Sequence, residues 1–163
     1  MPLTREEFVS RYRGIYEHSA WVAEQTCEVA GGIADTGKLA EVLAQCVDQA
    51  PHGRKLELIR AHPDLAGKAA IAGSLTDDSS EEQAAAGIDR CTPGEYRRFQ
   101  SLNTQYKKKF GFPFVMAVRN SNKTAILRAF GERLKNDNET EFRTALSEIH
   151  KIARLRLEAM HRP

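Results

Sequence analysis

The chain has 163 residues, of which 41% are hydrophobic and 28% are charged, as is ordinary for a soluble globular protein. Its formal net charge of +2 at pH 7 is too small for the concentrated basic face that a nucleic-acid-binding protein needs. The length predicts one domain, residues 1–163, with enough chain for a hydrophobic core. Composition and charge therefore argue against nucleic acid as the main partner.

The cysteine pattern and the absence of apolar runs indicate a compartment. Cys27, Cys46 and Cys91 are widely spaced and form no C-x-x-C pattern, which predicts a reduced intracellular protein without a structural zinc site. The N-terminal stretch MPLTREEFVS has no apolar signal run, and no segment approaches the length of a membrane span. We therefore expect a cytoplasmic protein with no membrane partner and no metal.

Helical patterns begin at the N-terminus. The stretch LTREEF is a capping box with Thr4 as N-cap and Glu7 three residues later, and it predicts a helix that runs to about Gly31–Gly32. Apolar residues at helical spacing over 39–47 predict a second helix. A short third helix is predicted over Arg54–Ala61.

Two further capping patterns follow. Ser79 and Glu82 have the spacing of a capping box and predict a short helix that ends at Gly87. The stretch TPGE, with Thr92 as N-cap and proline at the first helical position, predicts a long helix that stops at Gly111.

The remainder completes an all-α prediction. The stretch FPFVMAV, residues 112–118, is extended in character but has no partner run, so we predict a buried extended segment. The last two helices are predicted over Lys123–Leu134 and Glu141–Met160. The expected architecture is a single compact all-α domain of about seven or eight helices.

The stretch RAHPDLAGKAA places an ionisable side chain at a break between helical segments. Pro63 keeps His62 out of helical geometry, so the imidazole projects from a stiff turn that suits a positioned acid or base. The alternative is a structural or exposed histidine. Asp64 is expected to cap the next segment, and Lys68 to be a solvated charge.

The other candidate residues also have two interpretations. Ser79 and Glu82 either form only a capping box or, with the amide of Gln83, face an anionic ligand at a helix N-terminus. Arg156 either belongs to a solvated helix face or binds a carboxylate in bidentate fashion, through two of its guanidinium nitrogens. The stretch KKKFGFPFVMAV either packs in the core or lines a pocket for an amide-rich ligand. RNA binding is a third interpretation, for which its three lysines are a weak signal.

Several segments, in this order, resemble one enzyme family. They are HPDLAGK, LTDDSSEEQAAAGID, FQSLNTQYKKKFGFPFVMAVRN, AILRAFGERLKN and ALSEIHKIARLRL. Together they resemble 2-oxo-4-hydroxy-4-carboxy-5-ureidoimidazoline (OHCU) decarboxylase over nearly the whole chain, and HPDLAGK with KFGFPFV is the specific combination.

The resemblance implies an all-helical enzyme without a cofactor that converts OHCU to (S)-allantoin, the last step from urate to allantoin. It implies catalytic roles for His62 and Glu82. The substrate-binding residues that it implies are Pro63, Ser79, Gln83, Phe114, Val115, Met116 and Arg156. It also makes a homodimer plausible and implies a functional link to a separate 5-hydroxyisourate hydrolase. A non-catalytic helical module that binds a ligand or a protein is the alternative.

Overall fold

The computed structural model describes residues 2–67 and 73–162 of the chain. These residues form eight α-helices and one short 3₁₀-helix, with no β-strand among them, so the all-α prediction and the helix count are confirmed. The helices are α1 (Arg5–Tyr12), α2 (Trp21–Ala30), α3 (Thr36–Asp48), α4 (His52–Arg60), α5 (Asp77–Ala85), α6 (Pro93–Phe110), α7 (Lys123–Arg133) and α8 (Asn138–Met160), with the 3₁₀-helix at Ile88–Arg90. Within the described ranges, no helix is both long and apolar enough to cross a membrane.

The chain divides into two compact units. The first unit contains Met1–Ala61 together with Ile149–Pro163, and the second contains His62–Glu148. The first unit is therefore discontinuous in sequence, whereas the second is a single stretch. The prediction of one domain over residues 1–163 stays a prediction.

In the first unit, the prediction of one helix from Thr4 to the glycine pair is wrong. The Thr4 capping box is present, but α1 ends at Tyr12 and α2 begins only at Trp21. Between them, His18 has a φ of 48°, a left-handed conformation that an α-helix cannot continue. Ile15 lies in the turn between the two helices and is only 3% exposed. Its burial continues the apolar spacing of α1 beyond the end of that helix.

The core of the first unit is built by helix faces of ordinary spacing. Leu39, Leu43 and Val47 of α3 are at most 1% exposed, as the 39–47 pattern predicts. Helix α4 starts two residues before the predicted Arg54 because Pro51 occupies its N-cap position. The third predicted helix is thus confirmed with shifted ends.

In the second unit, the caps of α6 are confirmed and the cap of α5 is corrected. Thr92 and Glu95 form the predicted capping box, and α6 ends at Gly111, whose φ of 80° favours glycine. Helix α5, however, starts at Asp77 because the Thr76 hydroxyl accepts from the Ser79 N–H at 3.2 Å. Ser79 is therefore the third helical residue, and it is not the N-cap.

The last elements also differ from prediction at one boundary. The segment 112–118 has neither helix nor strand geometry, and most of its side chains are buried, as predicted. Helix α8 begins at Asn138, earlier than Glu141, because Asp137 Oδ1 accepts from the Thr140 N–H at 2.7 Å and caps it.

Candidate active site

The turn that carries His62 follows α4 and has unusual backbone geometry. His62 is buried, with 8% of its surface exposed, and Pro63 prevents the helix from continuing. Ala66 adopts a φ of 52°, in the left-handed region that L-residues with a side chain rarely occupy. A Cβ atom on Gly67 would lie 2.7 Å from Asp64 Cβ, so the close return of the chain requires glycine here. We call His62–Gly67 the histidine turn.

Gln83 of α5 binds the backbone of the histidine turn with both ends of its amide. Its Oε1 accepts from the Ala66 N–H at 3.1 Å, and its Nε2 donates to the Asp64 carbonyl at 3.3 Å. An amide nitrogen has a second hydrogen and an amide oxygen a second lone pair, so Gln83 retains hydrogen-bonding capacity for another group. The structure thus brings Gln83 against the segment that carries His62.

Two amides from α6 hold the same turn. Gln100 Nε2 donates to the Ala66 carbonyl at 2.6 Å, and Asn103 Nδ2 donates to the Leu65 carbonyl at 2.9 Å. Ala66, the left-handed residue, is therefore hydrogen-bonded through both its N–H and its carbonyl. The carbonyl of the preceding residue, Leu65, is hydrogen-bonded as well. Neither Gln100 nor Asn103 was singled out as a site residue, although the unusual asparagine on an otherwise apolar helix face marked the position.

Asp64 makes an ion pair in this structure. Its Oδ2 lies 2.6 Å from Lys107 Nζ, with the lysine side chain 47% exposed. The predictions that Asp64 caps the following segment and that Lys68 is a solvated charge concern residues 68–72, which lie outside the described ranges.

The predicted residues of α5 lie on one face of that helix. Glu82 and Gln83 follow Ser79 by three and four residues, the spacing that places each of them on the same helical face as Ser79. All three side chains are at most 9% exposed. A carboxylate buried to this degree is uncommon and marks a candidate functional group. Because Gln83 contacts the histidine turn, this face and that turn belong to one local arrangement within the second unit.

The extended segment 112–118 is fixed by Arg133 of α7. Arg133 Nη1 donates to the Val115 carbonyl at 2.7 Å, and its guanidinium lies 4.3 Å from the Phe114 ring centroid. The Phe114 ring stacks on Phe130 with centroids 3.8 Å apart. Met116 is only partly buried. The backbone predicted to line a pocket is thus held by a cation that sequence analysis did not identify.

A buried carboxylate accompanies Arg133. Glu141 is fully buried and accepts from Arg133 Nε at 2.7 Å, from the Tyr106 hydroxyl at 2.6 Å and from Asn136 Nδ2 at 2.9 Å. Burial, followed by the hydrogen bond to Glu141, raises the pKa of Tyr106 above its ordinary value. We call Tyr106, Arg133, Asn136 and Glu141 the carboxylate network.

Arg156 belongs to the first unit, on α8, and it is buried. It is 5% exposed, its Nη1 donates to the Gly14 carbonyl at 3.1 Å, and its Nη2 lies 3.6 Å from Glu17 Oε2. The solvated-face interpretation is therefore wrong. A buried guanidinium agrees with the alternative of a carboxylate clamp, which stays a prediction.

No cluster of three or more histidine, cysteine or acidic side chains suited to a metal ion occurs in residues 2–67 and 73–162. The polar groups described above are imidazole, carboxylate, amide, hydroxyl, guanidinium and ammonium groups. They are suited to binding a small polar molecule and to moving a proton.

Comparison with known proteins identifies the family. The profile described as OHCU decarboxylase matches residues 2–158. A 2-oxo-4-hydroxy-4-carboxy-5-ureidoimidazoline decarboxylase from Halalkalicoccus jeotgali is 42% identical over 159 residues, which cover 98% of this chain and 88% of that protein. A uric acid degradation bifunctional protein from Bacillus sp. (strain TB-90) is 41% identical over 160 residues, 98% of this chain but 31% of that protein.

A solved structure agrees with this assignment. The crystal structure of (S)-allantoin synthase superposes with a TM-score of 0.76 at 38% sequence identity, and the match covers 97% of this chain and 51% of that chain. The family resemblance stated from the sequence is thereby confirmed: this chain belongs to the OHCU decarboxylase family.

Proposed function

We propose that this chain is a lyase that decarboxylates OHCU to (S)-allantoin, the last step from urate to allantoin. The observation that carries the proposal is the family match over residues 2–158, which includes the buried histidine turn and the buried face of α5. The crystal structure named (S)-allantoin synthase supports the product.

The substrate supplies its own electron acceptor. OHCU has a carboxylate on a tetrahedral carbon beside a conjugated C=N bond. The bond between that carbon and the carboxylate carbon breaks, carbon dioxide leaves, and the electron pair moves into the ring C=N system. The hydroxyl group on that carbon then loses its proton and becomes a carbonyl, while a proton adds to the adjacent carbon of the former C=N bond, which bears the ureido group and becomes the stereocentre of allantoin. The protein has to orient the carboxylate, polarise the ring and deliver the proton to one face.

His62 is the acid/base group in this proposal. Its imidazole takes a proton from the substrate hydroxyl or gives one to the carbanion-like intermediate. A fixed donor on one face gives a single product enantiomer, and the four hydrogen bonds between the histidine turn and the side chains of Gln83, Gln100 and Asn103 support such fixation. Glu82 orients the ring or ureido N–H groups and helps to set the protonation state of His62.

The remaining predicted residues bind the substrate. Ser79 and Gln83 hold its ureido and ring amides, for which the second hydrogen and lone pair of the Gln83 amide remain suited. Pro63 and the backbone at residues 114–116 line the pocket. Arg156 binds a carboxylate or carbonyl oxygen, and the burial of its guanidinium supports this role over that of a surface charge.

The test compares His62→Gln with wild type. OHCU is generated in place from urate with the two upstream enzymes, and the (S)-allantoin signal is followed by circular dichroism. Removal of a general acid/base typically lowers the rate by about 10²–10⁴-fold, so His62→Gln should lose most of its turnover. His52→Gln, an exposed histidine at the start of α4, is the matched control and should keep the wild-type rate.

Two outcomes would contradict the proposal. If wild type does not exceed the slow spontaneous reaction, the decarboxylase function fails and the alternative of a non-catalytic helical binding module returns. If His62→Gln turns over like wild type while its far-ultraviolet spectrum is unchanged, the function stands but His62 is not its acid/base.

The proposal extends to the cellular context. All three cysteines are free thiols, which supports a reducing compartment, and we assign the protein to the cytoplasm. The name of the bifunctional relative supports a place in urate degradation, where a separate 5-hydroxyisourate hydrolase would supply the substrate. A homodimer stays a prediction that only the family resemblance supports.

A further inference from the structure

Asn103 is a polar residue at a position where α6 otherwise presents apolar side chains. It is 3% exposed, and Phe99 and Tyr106, on the same helix face, are fully buried. Burial of an amide in such surroundings is unfavourable unless its hydrogen-bonding groups are satisfied. Asn103 satisfies only half of this need, because Oδ1 has no hydrogen-bond partner within the described residues. An apolar side chain of similar size would fit the helix face at lower cost.

The other half of the amide acts on the histidine turn. Asn103 Nδ2 donates to the Leu65 carbonyl at 2.9 Å, a bond between residues 38 apart in sequence. Leu65 immediately precedes Ala66, whose left-handed backbone is strained for a residue with a Cβ atom. Such a conformation persists only where surrounding contacts fix it, so the bond from Asn103 helps to select it.

The turn transmits this constraint to the imidazole. His62 lies three residues before Leu65, and the intervening Pro63 has a fixed φ angle, so the backbone between them has little freedom to absorb a displacement. Asn103 and the Leu65 carbonyl form a buried bond, whereas the Lys107–Asp64 ion pair at the same turn is partly exposed to solvent. The asparagine is therefore the better placed of the two to hold the turn rigidly.

We propose that Asn103 is a positioning residue that sets the placement of His62 through the Leu65 carbonyl. This inference rests on the proposed role of His62 as the acid/base. It assigns to Asn103 no contact with the substrate. Its effect is confined to the chemical step, because that step needs the imidazole at a defined distance from the reacting atoms.

The first test is Asn103→Leu, which keeps the number and branching of the side-chain heavy atoms and removes the donor. Misplacement of a catalytic group by about 1 Å can cost about 100-fold in rate, so we expect kcat to fall by about 10- to 100-fold while KM changes less than about threefold. The matched control is Gln105→Leu on the same helix, whose exposed amide bonds only the Ser101 hydroxyl among the contacts described. It should keep the wild-type kcat.

The pH dependence of kcat in Asn103→Asp distinguishes a positioning role from a purely structural one. An ionised carboxylate has the same shape but cannot donate to the Leu65 carbonyl, whereas the protonated acid can. The ratio of the kcat of Asn103→Asp to that of Asn103→Leu should therefore rise as the pH is lowered. The ratio removes the pH dependence of His62 itself, and it remains measurable if either variant is less stable than wild type.

The outcomes separate this inference from the proposed function. Loss of turnover in His62→Gln, with wild-type kcat in Asn103→Leu, would overturn the positioning role alone. Full turnover in His62→Gln would overturn both. A fall in kcat that Gln105→Leu shares, or a kcat ratio that does not change with pH, would also overturn the positioning role. If Asn103→Leu does not fold, the kcat of Asn103→Asp at neutral pH, relative to Gln105→Leu, decides in the same way.

Discussion

Replacement of Glu141 by glutamine should destabilise the protein strongly. Glu141 is fully buried and accepts three hydrogen bonds, from Tyr106, Arg133 and Asn136. Glutamine keeps the shape of the side chain but removes its charge. Its NH₂ group also takes the place of a carboxylate oxygen that accepts a hydrogen bond in the wild-type protein. The guanidinium of Arg133, whose side chain is only 11% exposed, then lacks its carboxylate.

The expected magnitude follows from this geometry. Breaking a buried ion pair by removing one partner costs about 3–5 kcal/mol, a large part of the roughly 5–15 kcal/mol by which domains are stable. With a urea dependence of about 2 kcal/mol per molar, the unfolding midpoint should fall by about 1.5–2.5 M. Urea titration followed by far-ultraviolet circular dichroism measures this shift directly.

Glu139→Gln is the matched control. Glu139 is exposed in the first turn of the same helix, so the same substitution there removes only a favourable interaction with the helix dipole. That interaction is worth about 0.3–1 kcal/mol. If the two variants unfold at the same urea concentration, the carboxylate network does not stabilise the second unit. The inference that Arg133, paired with Glu141, fixes the extended segment 112–118 would then be wrong as well.

Two further predictions concern pH. The pKa of Glu95 lies below its ordinary value, mainly because its carboxylate accepts a hydrogen bond from the Thr92 N–H and secondly because it accepts one from Lys123. Ionised Glu95 therefore stabilises the fold at pH values above its unfolded-state pKa. This stabilisation is lost as the pH falls through the lower folded-state pKa. Glu95→Gln should thus lower the thermal midpoint at neutral pH and approach wild type below about pH 4, and a difference that grows in acid would contradict this. Because burial and then Glu141 raise the pKa of Tyr106, Tyr106→Phe should leave the tyrosinate absorbance step near pH 10 unchanged. Loss of one tyrosine's share of that step would show that Tyr106 titrates normally in the folded protein.

Local sequence patterns predicted the elements whose determinants are local. The Thr92 cap could be predicted because threonine, proline and glutamate within four positions leave one favourable start for α6. The start of α5 could not, because Thr76 and Ser79 are both competent caps and only the folded backbone decides between them. The break after Tyr12 was missed because the buried Ile15 continued the helical spacing into a turn.

The site could be predicted only in part, for a similar reason. Pro63 marks the histidine turn in the sequence, and the family resemblance supplies the roles of the residues around it. The bond between Asn103 and Leu65, 38 residues apart, has no local pattern. The burial of Arg156 likewise depends on Gly14 and Glu17, which lie far away in sequence. The catalytic roles themselves stay predictions that kinetics must test.

The division of the first unit into two stretches of sequence has a consequence for biosynthesis. Residues 149–163 are synthesised after the whole of the second unit, yet they supply contacts to the early segment of the first unit, including the hydrogen bond between His150 Nδ1 and the Tyr16 hydroxyl at 2.8 Å. The second unit, a single stretch, can in contrast assemble while translation continues. The helices of residues 2–61 therefore lack these contacts until residues 149–162 have been synthesised. Residues 1–61, although synthesised before the second unit, are thus completed as a folded unit only after it.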